Sequence, residues 1–286
     1  MTSTPDRPTS DRPTPDRFSL HGRTVAVTGG SGMLGGSFAR ALVDAGASVA
    51  LLDVTEPADD RVAQLSARAA DGAGVRAIVC DVRDDASVAA ARASIESTFG
   101  PVTGLVNAAA IDAVPGGSGV AINGPFETSS SEDFTAVLDV NLQGVVRCCR
   151  EFGGAMAERG GGAIVNVAST YGLVGPDQRL YEPLREQGVD FFKPAVYTTS
   201  KAGIIGLTRY LAAYWGEKGV RVNTLSPGGV QAGQDERFVA AYASRTPMGR
   251  MARADEYDGA VVFLLSDAAS YMTGANLVID GGFTAW

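Results

Sequence analysis

The chain of 286 residues is 45% hydrophobic and 20% charged, with 24 Lys+Arg against 32 Asp+Glu and a formal net charge of −8. An acidic balance argues against nucleic acid and against a polybasic membrane anchor, no apolar run approaches the ~18 residues a bilayer span needs, and the N-terminus has no signal-type apolar stretch, so a cytoplasmic enzyme is expected. Three cysteines and the single His21 match neither a disulfide framework nor a metal spacing and leave no Ser-His-Asp triad, so no metal is expected and the thiols read as reduced core residues.

In chain order, residues 1–17 repeat Pro, Asp, Arg and Thr with no apolar residue after Met1 and read as a disordered tail. From Thr24 onward short β-branched runs alternate with helical periods: TVAVT, SVALLD, VRAIVCD, GLVNA, AIVNVAS, VRVNTLS and NLVID. Parallel strands need crossovers, and helices are the usual ones, so the alternation predicts an α/β chain. The expected fold is Rossmann-type, a doubly wound, seven-stranded parallel sheet with helices on both faces, in a single domain over 18–286. Gly46 closes the first helix, and Ser129 to Asp133 offer a capping box for a helical segment ending near Glu158. A further helix carries Ile204, Ile205, Leu207, Leu211 and Trp215 at helical spacing, and the pattern predicts it to run from Ser200 to Trp215. Connections richer in polar residues, near 111–129 and 173–195, are expected to overhang the ligand-binding edge of the sheet.

The first strand runs directly into Thr28-Gly29-Gly30-Ser31-Gly32-Met33-Leu34-Gly35, and a helical pattern follows. A glycine-rich strand-to-helix turn lets backbone approach a pyrophosphate and aims the free N–H groups of the helix N-terminus at it. Asp53 ends the second strand, where a carboxylate accepts from adenosine ribose hydroxyls and repels a 2′-phosphate, which favours NAD(H) over NADP(H).

This turn resembles the TGxxxGxG motif of the short-chain dehydrogenases/reductases. The resemblance continues in family order through Asn107-Ala108-Ala109, Asn141 in DVNLQG, Ser169 in NVAST, Tyr197-Thr198-Thr199-Ser200-Lys201, Ser226-Pro227-Gly228-Gly229-Val230 and Ile279-Asp280-Gly281-Gly282. The chain departs from the pattern at Met33 and Ala109, which stand where the family has glycine, and at Val230-Gln231-Ala232, where the family often has threonine. The resemblance implies a catalytic set of Asn141, Ser169, Tyr197 and Lys201. It also implies a cofactor site of Gly29, Ser31, Met33, Leu34, Asp53, Asp81, Val82, Asn107, Ala108, Ala109, Tyr197, Lys201, Pro227, Gly228 and Val230. Lys201 would bind the nicotinamide ribose and Asn141 would position a relay water.

The chemistry needs these residue types. Tyr197 and Lys201, four apart on one helix face, bring an ammonium beside a phenol whose pKa of ~10 makes it a poor base unaided. Tyr197 would exchange a proton with the substrate oxygen while Ser169 holds that oxygen. Tyr181 stands near the family spacing after Ser169, but Arg185 follows it where a lysine is needed. Tyr171, Tyr181, Glu182, Arg185, Lys193 and Gln231 are candidate substrate contacts, and Arg237, Arg245, Arg250 and Arg253 are candidate anchors for an anionic group. The expected activity is NAD(H)-dependent interconversion of a secondary alcohol and a ketone on a polar, sugar- or polyol-type small molecule. The alternatives are an NADPH-dependent biosynthetic ketoreductase and a non-catalytic, dinucleotide-sensing regulator. The resemblance further implies a homo-oligomer, tetramer or dimer, with helices 131–158 and 200–215 at interfaces. The closing Phe283 to Trp286 would pack across a subunit boundary or on its own subunit.

Overall fold

In the computed structural model, which describes residues 13–56, 59–113 and 124–286, seven parallel strands form one sheet in the order β3-β2-β1-β4-β5-β6-β7. They are β1 (Thr24–Thr28), β2 (Ser48–Asp53), β3 (Val75–Val79), β4 (Gly104–Asn107), β5 (Gly162–Val167), β6 (Val220–Pro227) and β7 (Asn276–Ile279). Every residue of β1 and of β4 is buried, as expected of central parallel strands covered on both faces. One face is covered by α3 (Asp85–Phe99), by the helical stretch α4 (Ser131–Leu138), α5 (Gly144–Cys148) and α6 (Gly154–Arg159), and by α8 (Ala195–Trp215). The other face packs α1 (Met33–Asp44) and α10 (Asp258–Leu265), with α2 (Asp59–Ser66) flanking them. The strand order reverses between β1 and β4, which opens the crevice at their C-terminal ends where open α/β sheets bind ligands.

The expected seven strands and their order of use in chain are thus observed. Residues 1–12 lie outside the described residues, and the segment read as a tail to residue 17 forms a 3-10 turn over Thr14–Phe18, whose Phe18 ring lies 6.1 Å from that of Phe263. Much of the connection expected near 111–129 likewise falls outside the described residues, at 114–123. Ser130 caps α4 by accepting from the Asp133 N–H at 3.0 Å, as the sequence signals, and Gly160 ends α6 in the left-handed region. The stretch between is interrupted by two π turns, Asp139–Gln143 and Cys149–Gly153, and Asn141 sits in the first of them.

Helix α8 starts at Ala195, earlier than the apolar spacing suggests. Pro194 occupies its N-cap, so Tyr197 lies in the first turn rather than before the helix. The segment 173–195 is folded, not irregular: a 3-10 turn (Gln178–Tyr181) leads into α7 (Glu182–Glu186), and the Tyr181 ring packs on Phe191 and on Phe238 of α9 (Glu236–Ser244) at 5.0 and 5.3 Å. His21 lies against Gly46, where any Cβ would meet its ring at 2.7 Å, so it serves the packing of the first turn. Cys80, Cys148 and Cys149 are buried free thiols, and burial pushes Cys149 up to about 12, leaving it inert at neutral pH. Among the described residues no helix is long and apolar enough to cross a membrane, and no group of three or more His, Cys, Asp or Glu could hold a metal.

Candidate active site

The glycine turn is built by close backbone approach. A Cβ on Gly35 would lie 2.1 Å from the Gly29 carbonyl oxygen, and one on Gly29, whose φ is +67°, would lie 2.8 Å from the Ala109 backbone. The loop after β4 therefore packs directly on the turn after β1, and Thr28 Oγ1 accepts from the Ala108 and Ala109 N–H groups at 3.1 Å each. Gly35→Ala is expected to destabilise the fold by roughly 1–3 kcal/mol through overpacking and to weaken NADH binding at least tenfold. Thermal unfolding and NADH fluorescence titration read the two effects, and a variant matching the native protein in both would contradict this account of the turn.

Asp53 stands beside the turn: its Oδ2 accepts from the Ser31 N–H and its Oδ1 from the Val54 N–H, both at 2.9 Å. Arg61 donates to the Ser31 carbonyl at 2.8 Å from the α2 side. The Ser31 hydroxyl oxygen is buried without a hydrogen-bond partner. A backbone cradle that tolerates no Cβ, an orphaned hydroxyl within it and a carboxylate at the next strand end fit a dinucleotide. Met33 is half exposed at the first position of α1, on the helix face of Ser37 and Arg40, so the side chain replacing the family glycine does not fill the cradle. Leu34 leans on the core instead. Asp81 and Val82 follow β3 at the same edge, with the Asp81 carboxylate held below its ordinary pKa by its hydrogen bond to Arg83. The Gly228 N–H donates to the Ile279 carbonyl of β7 at 2.8 Å, and Val230 bridges to Ala252.

One cofactor residue is placed differently from expectation. Asn107 turns its side chain away from the cradle, donating to Asn166 Oδ1 at 2.8 Å and to Cys149 Sγ at 3.4 Å, so it ties strands together beneath the site. Strand alternation sends this position to the face covered by the helical stretch that carries Cys149.

Ser169, Tyr197 and Lys201 converge above the ends of β5 and α8. The Ser169 hydroxyl lies close enough to Tyr197 to pull its pKa down, although burial of the phenol, the larger influence, drives it well above the ordinary value and the negative charge of Asp112 adds to that rise. Lys201 Nζ donates to the Val167 carbonyl at 2.9 Å and stands 5.7 Å from the Tyr197 ring centre. Burial lowers Lys201 to about 8, with Asp112 opposing and Lys193 reinforcing the shift. The Asn141 side chain is committed to backbone: its Nδ2 donates to the Ile111 carbonyl at 2.9 Å and its Oδ1 accepts from the Ile111 N–H at 2.8 Å, so the amide clamps the loop after β4. Through Nδ2 it also reaches Ser200 Oγ at 3.5 Å, and Ser200 donates to the Tyr197 carbonyl at 2.8 Å.

The substrate candidates divide. Tyr171 and Tyr181 join Tyr242 and Phe283 in a buried aromatic wall beside the site, with Phe283 stacked on Tyr242 at 4.8 Å. Lys193 is brought over the Tyr197 ring, 4.2 Å from its centre. Gln231 is exposed on the loop after β6. Glu182 is exposed on α7, and Arg185 faces inward within its own segment, donating to the Phe191 and Gln178 carbonyls and lying 4.6 Å from the centre of the Phe192 ring. In the structure the Arg185 guanidinium is thus spent on holding its own segment together. The four arginines read as anion anchors are likewise engaged: Arg237 with Glu186 and Asp235, Arg245 with Asp177, Arg250 with Glu256, and Arg253 with Asp255 and Glu256. Trp286 donates from Nε1 to the Arg245 carbonyl at 3.1 Å, which places the C-terminus against the end of α9.

Two residues that pattern reading passes over complete the site. The Tyr242 hydroxyl accepts from the Gly229 N–H at 2.7 Å and so steadies the turn after β6. Asp112, one residue beyond the Asn141 clamp, pairs with Lys193 at 2.5 Å. Neither belongs to a motif, and only proximity in the fold reveals them.

The family described as enoyl-(acyl carrier protein) reductase matches residues 31–284. A D-threitol dehydrogenase of Mycolicibacterium smegmatis is 39% identical over 93% of this chain and 95% of its own length, and a galactitol 2-dehydrogenase (L-tagatose-forming) of Cereibacter sphaeroides is 37% identical over 94% and 98%. Among solved structures, a gluconate 5-dehydrogenase from Burkholderia cenocepacia in complex with NADP and tartrate superposes with a TM-score of 0.79 at 30% identity, covering 95% of this chain and 98% of that one.

Proposed function

The chain belongs to the short-chain dehydrogenase/reductase family, and from that premise we propose that it is an NAD(H)-dependent dehydrogenase of polyol- or sugar-type secondary alcohols, working as a homo-oligomer. The observation that carries the reading is the convergence of Ser169, Tyr197 and Lys201 beside a glycine cradle with Asp53 at its adenosine end. A nicotinamide dinucleotide held there supplies the hydride acceptor for oxidation and the donor for reduction. Tyr197 takes the proton of the substrate hydroxyl, Ser169 donates to the substrate oxygen as its charge develops, and Lys201, anchored on the Val167 carbonyl, favours the phenolate. The threitol and galactitol dehydrogenases among its relatives support a polyol substrate.

Asp53 supports NAD(H), because a carboxylate that already orders the turn would oppose a 2′-phosphate. One observation favours NADP(H): Arg61 lies beside Ser31, where a guanidinium could accept that phosphate, and the Burkholderia neighbour is in complex with NADP. Dissociation constants for the two oxidised dinucleotides decide between them. For assembly, the support is the pair Tyr210 and Tyr214, exposed on α8 with rings stacked at 5.8 Å, a patch suited to burial against a second copy.

The test is turnover of galactitol, D-threitol and D-gluconate with each dinucleotide, followed by cofactor absorbance beside a Tyr197→Phe control. Polyol turnover with NAD⁺ that disappears in the control supports the reading. Tight NADH binding with no turnover of any alcohol would favour the dinucleotide-sensing regulator.

A further inference from the structure

The Asp112–Lys193 ion pair spans the mouth of the site from two independent pieces of chain. Asp112 follows Ile111, whose backbone is gripped on both sides by the buried Asn141 amide, so its position is set by the helical stretch below. Lys193 arrives from the opposite side, on the segment leading into α8, and its backbone N–H donates to Gln178 Oε1 at 3.0 Å. The lysine side chain is nearly covered, at 9% exposure, while the aspartate remains open at 37%. Lys193 Nζ rests over the Tyr197 ring, and the charge of Asp112 is felt by Tyr197, Lys201, Tyr171 and Tyr181 alike, which places the carboxylate inside the ring of groups that surround the reacting oxygen.

We propose that this pair is the specificity element for the polyol reading: it binds a second hydroxyl of the substrate, next to the carbon that reacts at Tyr197, and it selects neutral polyols over sugar acids. The inference rests on the dehydrogenase function proposed above. An ion pair offers a hydroxyl both an acceptor, at Asp112, and a donor, at Lys193, and hydrogen bonds to charged groups are the stronger kind. A site built to pair with a substrate hydroxyl discriminates strongly against an alcohol lacking it, because its own polar groups are then left unmatched. A carboxylate on the substrate meets the opposite situation. Lys193 is already neutralised by Asp112, and the arginines of the neighbouring loop are each occupied by acidic partners, so an acid would face Asp112 with no unengaged cation among these groups to offset it.

The experiment compares the full-length protein with Asp112→Ala, Asp112→Asn and Lys193→Met, measuring kcat/KM with NAD⁺, or with whichever dinucleotide the protein binds more tightly, for galactitol, D-threitol, D-gluconate and the monohydroxy alcohol cyclohexanol. NADH binding by fluorescence serves as the folding and cofactor control. Wild type should prefer the neutral polyols to gluconate by at least tenfold. Asp112→Ala and Lys193→Met should lower kcat/KM for polyols, mainly through KM, at least tenfold more than for cyclohexanol, whose own change reads the electrostatic effect on Tyr197 shared by every substrate, while NADH binding is unchanged. Asp112→Ala should also narrow the gap between gluconate and the polyols.

A purely structural or electrostatic role would depress or shift polyol and cyclohexanol together, including their pH profiles, and would overturn the proposal. Wild-type preference for gluconate would overturn it as well, while leaving the dehydrogenase reading in place. If wild type oxidises none of the alcohols, the functional reading fails first and this inference falls with it.

Discussion

Tyr197→Phe is expected to lower kcat/KM for alcohol oxidation roughly 10²–10⁴-fold, the span associated with losing a positioned acid–base group, with NADH binding kept within about twofold. The substitution removes one hydroxyl and keeps the ring that carries Lys193 at 4.2 Å and packs against the aromatic wall, so the fold and the cradle should persist. The pH dependence follows from the surroundings. Burial disfavours the charged form of both groups, raising Tyr197 well above its ordinary value and lowering Lys201 to about 8. As pH falls through about 8, Lys201 gains its proton and the cation that favours the phenolate is present. As pH rises toward about 8, removal of the Tyr197 proton becomes easier while Lys201 is still charged, so oxidation should climb over that range and level off above it, where the cation is lost. The phenylalanine variant should lose that climb and show a flat, low profile. A variant retaining both the rate and the rise would show that Tyr197 is not the base.

Asp53→Ala is expected to move the ratio of NAD⁺ to NADP⁺ efficiency by about two orders of magnitude toward NADP⁺. A carboxylate about 5 Å from a 2′-phosphate opposes it by ~3 kcal/mol at an effective dielectric of ~20, and 1.4 kcal/mol corresponds to tenfold. Asp53 also holds the Ser31 and Val54 N–H groups, so the alanine variant should bind NAD⁺ more weakly too. Asp53→Asn separates the two effects, since an amide oxygen can keep an acceptor in place without the charge. Arg61 is already beside the turn and would meet the phosphate once the carboxylate is gone. Wild-type protein that binds NADP⁺ more tightly than NAD⁺ would remove the NAD(H) assignment, and an unchanged ratio in Asp53→Ala would show that the strand end does not select the cofactor.

The strands and the glycine turn were legible because each depends on near neighbours in sequence. β-branched runs make buried parallel strands, and a Cβ-free position such as Gly35 announces a close backbone contact, here with Gly29 six residues earlier in the turn. Tyr197 and Lys201 were legible for the same reason, being four apart on one helix. The start of α8 was less so: Val196, Thr198 and Thr199 are indifferent helix formers, and the Pro194 cap outweighed them.

By itself, then, the amino-acid sequence determined the parallel sheet and the cradle, which rest on local spacing and periodicity, while the order of the proposed catalytic groups was legible only through the resemblance to the family. Tertiary structure decided which partner each polar side chain takes. It set Asn141 on the Ile111 backbone, turned Arg185 toward the Phe191 and Gln178 carbonyls, paired the loop arginines with acids, seated Trp286 on its own chain, and joined Asp112 to Lys193 over Tyr197. The physical reason is that a buried donor or charge must be satisfied by whatever group the fold brings within about 3 Å, and those groups lie far apart along the chain.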